Sequence, residues 1–216
     1  MLNFKVKGKF ASEDELIGDK KLSENAIQFR EGDSVQDVFI KGFLIGLPFF
    51  IIMEMLMYLR LRDIDYKLQM NIQTIMVFVV MLVVLYALIY VHEVIHGIFY
   101  PMNAEKTIWK YPEQGAFFIY CDEPISKIRF IILCAAPSII LGIVPYIIWL
   151  VYAVSVPMPY TLAIGLSTLI MTVMSMGDFA NIYNAIRQVP KNAKVFNYGL
   201  HSYWIKEDRT KWGGLP

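Results

Sequence analysis

Residues 74–100 read TIMVFVVMLVVLYALIYVHEVIHGIFY. Up to Val91 the stretch contains no charged side chain, and then His92-Glu93-Val94-Ile95-His96 follows. At 1.5 Å per residue, the whole stretch 74–100 as a helix, about 40 Å long, exceeds the roughly 30 Å of hydrocarbon in a bilayer. Residues four apart share a helix face, so His92 and His96 can hold one metal ion together, with Glu93 beside that face. Polar groups in hydrocarbon are expensive. Two packed histidines beside a buried acid would leave Glu93 uncompensated, whereas an HExxH zinc site gives all three residues a use.

The rest of the chain fits a membrane setting. Of 216 residues, 56% are hydrophobic, above the roughly 45–50% usual in soluble proteins, and the mean hydropathy is +0.47. The formal net charge of +1 provides no basic field for nucleic acid. Cys121 and Cys134 provide no disulfide framework, and Cys134 reads as a small buried thiol within a span. The first apolar run begins near residue 38, after a charged lead-in, so no signal peptide is expected.

Four spans are expected, at about Val38–Leu59, Thr74–Tyr100, Ile128–Tyr152 and Thr161–Ile186, the third with Pro137 and Pro145 inside it. Residues 1–36 form a cytosolic N-terminal segment of weak structure in this reading. Residues 37–187 form the transmembrane domain and 188–216 a cytosolic tail. Lysine and arginine number six in the N-terminal segment, four over residues 101–129 and six from Arg187 onward, against three in the first loop and none in the other. The bias places both termini in the cytoplasm of a multi-pass cell-membrane protein. The expected fold is all-α, with one small β-hairpin as an even alternative to a plain loop. It would join Ile108–Tyr111 to Ala116–Tyr120 across Pro112-Glu113-Gln114-Gly115.

Catalytic zinc takes three protein ligands and keeps one position open for water. Asp178 is 17 residues beyond the start of span four and His92 is 18 beyond the start of span two. Both spans run inward in this topology, so both residues lie about 26 Å deep. Asp178 is also the sole acid of its span and needs a cation partner. Ser175, Asp178 and Asn181 recur every three residues. Asn181 could steady the aspartate, bind substrate backbone, or simply join helices through hydrogen bonds. Glu113, Asp122, Glu123 and His201 are the other candidates for third ligand; a lone tail histidine more often serves packing.

With these residues in view, the chain resembles a bacterial family of zincin membrane peptidases catalogued as a domain of unknown function, similar to site-2-type intramembrane metalloproteases. The resemblance covers most of residues 75–205. It rests on His92-Glu93 with His96-Gly97, on Pro124-Ile125-Ser126 leading into the span with Pro137, and on Gly177-Asp178 with Asn181. Arg187, Pro190 and Lys191 extend it. It implies Zn2+ held by His92, His96 and Asp178, Glu93 as catalytic base, and a membrane protein or peptide as substrate. In the site-2 pattern a proline-rich approach leads to an Asp-Gly pair. Here Met171–Met176 lacks proline and Phe179 follows Asp178. A membrane metal-binding or transport protein, and a catalytically idle chaperone-like relative, are the competing readings. No oligomeric state is implied.

Overall fold

The structure is a computed structural model describing residues 3–32, 34–62, 68–112 and 116–206. It divides into two compact units.

The apolar unit comprises Gly32–Ile95 and Ala135–Ala180. Its first helix, α2 (Val35–Leu61), opens on a reciprocal capping box: the Ser34 hydroxyl accepts from Asp37 N–H, and the Asp37 carboxylate accepts from Ser34 N–H. Helix α3 (Ile72–Phe99) carries the pentad on its last two turns. The third helical stretch, Lys127–Ser155, is not uniform. Helix α4 (Lys127–Pro137) passes into a π-helical segment, Ser138–Ile143, and then into α5 (Val144–Tyr152). Pro145 has no N–H to give, so the ladder must be broken beside it, and the wider π turn lies there. Gly142 in this segment lies so close to Thr172 that a Cβ would collide with its hydroxyl.

Lys127–Ser155, Gln36–Leu61 and Ile72–Phe99 are each long and apolar enough to cross a membrane. The expected fourth span is instead a bent pair, α6 (Met158–Met174) and α7 (Met176–Gln188), at 42° to each other. The architecture is thus compatible with membrane localisation. Met53, Met57, Tyr146, Trp149 and Ala153 form the core of this unit. Trp149 Nε1 donates to the Thr161 carbonyl at 2.7 Å, which satisfies its one donor in an apolar setting.

The second unit, Met1–Glu31, His96–Cys134 and Asn181–Pro216, overturns the all-α expectation. Among the described residues it holds seven strands in two sheets. The hairpin is present: β3 (Lys106–Tyr111) pairs antiparallel with β4 (Ala116–Tyr120), with Trp109 opposite Phe118. Residues 113–115, where a turn is expected, lie outside the described residues. The lead-in is structured rather than weak. Strand β1 (Phe4–Lys9) lies parallel along β3, and the short α1 (Asp14–Ile17) buries Leu16 with Phe10, Trp109 and Tyr120.

The other sheet has the order β2-β7-β6-β5, all antiparallel, from Ile27–Gln28, His201–Lys206, Ala193–Tyr198 and Ile125–Ser126. Its β6–β7 hairpin turns on Gly199 at φ 61°, with Tyr198 opposite His201. Glycine at the first central position of a two-residue loop suits the type II′ turn that matches strand twist. A core of Phe29, Tyr100, Ile125, Phe130, Val195 and Trp204 holds this sheet against the ends of α4 and α7.

Candidate metal centre

Helix α3 continues without a break through the pentad, so His92 and His96 project from one face, one turn apart. Both are buried, at 8% and 7% exposure, while Glu93 is half-buried. The His92 Nε2 lies 3.2 Å from Asp178 Oδ2, each side chain 11% exposed. One ligand atom from each of His92, His96 and Asp178 falls within 4.8 Å of the others.

The imidazole of His96 is oriented by the main chain. Its Nδ1 lies 2.9 Å from the carbonyl oxygen of Leu133 on α4. A carbonyl only accepts, so Nδ1 carries the proton and the lone pair resides on Nε2. Such a bond fixes both tautomer and ring angle in metal-binding histidines.

Asp178 owes its place to the bend. Ser175 terminates α6: its N–H turns back to Thr172 O at 3.2 Å, and Phe179 N–H then bonds to Ser175 O as α7 begins. Asp178 sits in the first turn of α7, where the helix dipole favours a carboxylate. Gly42 of α2 lies directly against the Met176 carbonyl, and a Cβ there would overlap it. A backbone carbonyl cannot yield as a side-chain tip can. Gly42→Ala is therefore expected to cost about 1–3 kcal/mol of overpacking and to weaken zinc retention by shifting Asp178. Gly8→Ala, whose Cβ would meet nothing within 4 Å, should change neither. Thermal unfolding in detergent and zinc content after dialysis would read both effects.

Among the described residues, Asp122, Glu123 and His201 are not part of this cluster. Asp122 pairs with Lys20, and His201 Nδ1 lies 3.1 Å from the buried Glu31. Glu123 is exposed, and Glu113 is outside the described residues. Ser175 is fully buried and bonds to the Met171 carbonyl at 3.4 Å, a back-bond within its own helix. Asn181 is half-buried, three residues beyond Asp178 on α7. Burial pushes the Cys121 thiol up, away from the reactive thiolate.

Two features of the site escaped sequence reading. One is the Leu133 carbonyl, which no side-chain pattern announces. The other is Gly97, directly after the pentad, where a Cβ would strike the ring of Phe4 and the end of Ile119. Glycine allows the β1–β3–β4 sheet to close over this end of α3. The His-Gly pair was visible, but the approach of β1 was not.

The donor set suits zinc: two imidazole nitrogens and one carboxylate oxygen. At zinc bond lengths of about 2.0–2.2 Å, neighbouring tetrahedral ligands sit roughly 3.4 Å apart, close to the separation of His92 and Asp178. The comparison with known families agrees. A family model described as "Putative zincin peptidase" matches residues 85–194, about half the chain and all three donors, and the chain belongs to that family. Neither curated proteins nor solved structures yield a significant match.

Proposed function

We propose that the chain is a zinc-dependent, membrane-embedded endopeptidase that hydrolyses peptide bonds of membrane-associated proteins or peptides. The observation that carries this reading is the cluster of His92, His96 and Asp178 beside Glu93, on helices apolar enough to cross a bilayer. His92, His96 and Asp178 would hold Zn2+, leaving a fourth position for water. When bound, zinc supplies a Lewis acid that polarises the scissile carbonyl and lowers the pKa of water toward 7.

The residues do the rest. Glu93 accepts the proton of the attacking water and delivers it to the departing amine. The Leu133 carbonyl keeps His96 in one tautomer throughout. Asp178 contributes the one negative charge of the ligand set. Asn181 is the candidate for steadying Asp178 or a substrate carbonyl.

A peptide bond inside a helix is shielded, so the substrate must be extended at the site. Strand β3 has β1 on one side and β4 on the other, which makes β4 an edge strand among the described residues. Addition of a substrate strand along Ala116–Tyr120 would present its backbone in that form.

Both termini lie in the cytoplasm in this proposal. Reporter fusions at residue 216 and in the loop near residue 65 should report opposite sides of the membrane; the same side at both would overturn the topology. Comparison of membrane proteomes from cells with the native chain and with Glu93→Gln tests the activity. A protein that accumulates only with the variant supports the proposal and names a substrate. Metal flux in proteoliposomes without any cleavage would favour a transporter, and substoichiometric zinc in the purified chain an idle relative.

A further inference from the structure

The two helices that carry the metal-site side chains end alike. Helix α3 stops at Phe99, shortly before Pro101, and α7 stops at Gln188, shortly before Pro190. Each end leaves main-chain carbonyls without helical partners and with the negative pole of the helix dipole. Both ends are met by basic side chains from one place, the first turn of α4. Lys127 Nζ donates to the Val189 carbonyl at 2.6 Å and to the Ile186 carbonyl at 3.2 Å. Arg129 Nε donates to the Phe99 carbonyl at 2.6 Å. The turn itself is capped, since Ser126 Oγ accepts from Arg129 N–H at 3.3 Å.

The spacing connects these contacts to the pentad. Arg129 and Leu133 are one turn apart on α4; Phe99 and His96 are one turn apart on α3. The Arg129–Phe99 and Leu133–His96 contacts are therefore two links between α4 and α3, one helical turn apart. On the other side of the same turn, Lys127 holds the end of the helix whose first turn carries Asp178.

We propose that Lys127 and Arg129 are positioning residues of the metal centre, a basic clamp that joins the C-terminal ends of α3 and α7 through α4. The clamp acts on the tautomer of His96 through the Leu133 carbonyl of α4 and on the separation of the ligands through the helices. The effect on zinc rests on the function proposed above; the effect on His96 does not.

The test uses the full-length chain in detergent micelles, with zinc affinity from chelator competition and the ring nitrogens of the three histidines from nitrogen NMR of the metal-free protein. Lys127→Met combined with Arg129→Gln should weaken zinc by about 10–100-fold, the usual cost of losing outer support for a ligand. It should also remove the hydrogen-bonded Nδ1–H signature of His96. Lys127→Arg with Arg129→Lys should restore both, and Lys110→Gln, at an exposed site, should disturb neither. Native zinc affinity together with an unchanged His96 resonance in the Met/Gln variant would overturn the clamp. If the native chain binds no zinc, the proposed function falls and the His96 resonance alone decides. Should the double variant fail to fold, Arg129→Gln alone carries the test, with the lower end of the range expected.

Discussion

Glu93→Gln is expected to slow peptide hydrolysis by about 10²–10⁴-fold while leaving one zinc per chain. The substitution keeps the size and half-buried position of the side chain but replaces a proton acceptor with an amide that cannot accept one. A positioned general base contributes about 10²–10⁴-fold to rate, so turnover should fall by that range with KM little changed. In the proposed site zinc is held by His92, His96 and Asp178 and not by Glu93, so metal content should not follow activity. Purified native and variant chains would be compared for cleavage of an extended reporter peptide and for zinc by elemental analysis. Unchanged turnover would remove Glu93 from the chemistry. Loss of zinc with loss of activity would make Glu93 a ligand or structural residue instead of a base.

The second large effect concerns Asp178. Its Oδ2 is 3.2 Å from His92 Nε2 in a site where both side chains are almost wholly buried. Asp178→Ala removes the only anionic donor of the three and leaves two imidazoles facing a buried gap. The zinc dissociation constant should rise by more than about 100-fold, beyond the 10–100-fold typical of outer-shell losses, and hydrolysis should vanish at ordinary zinc concentrations. Asp122→Ala and His201→Ala serve as controls, because those side chains are engaged by Lys20 and Glu31. Their zinc affinity should remain native. Stoichiometric zinc in Asp178→Ala under chelator challenge, or loss of zinc from either control, would transfer the third ligand elsewhere.

Some of this molecule could be read before any tertiary contact was known. The charge-free run before His92 fixes a helix by length and composition alone, and the HExxH spacing fixes a shared helix face. The hairpin of β3 and β4 is legible as an even alternative to a loop, because strand formers flank Pro112-Glu113-Gln114-Gly115, a sequence of turn-forming composition. The second hairpin carries a comparable signal, Ala193–Tyr198 and His201–Ile205 about a Gly-Leu pair, within the stretch whose charge and position suggest a tail. Strands β2 and β5 had none: each is two residues long, too short for any period, and exists only because a distant strand offers hydrogen bonds. Similarly, β1 alternates visibly, but nothing in its own residues says that it will lie parallel to β3.

The bend in the fourth span belongs to the same category. Met171–Met176 contains neither proline nor glycine, so local sequence predicts a continuous helix. The interruption at Ser175 comes with the close approach of Gly42 to the Met176 carbonyl, a contact across about 130 residues of sequence.

By itself, then, the sequence determined the apolar helices, the paired histidines, the acid beside them and the chemistry such donors favour. These rest on periodicity and composition, which act over a few residues. Tertiary structure decided which carboxylate approaches His92, which nitrogen of His96 carries the proton, and how the lead-in and tail share a sheet with the residues before α4. Those outcomes depend on hydrogen bonds and close backbone contacts between segments far apart in the chain, and no local pattern encodes them.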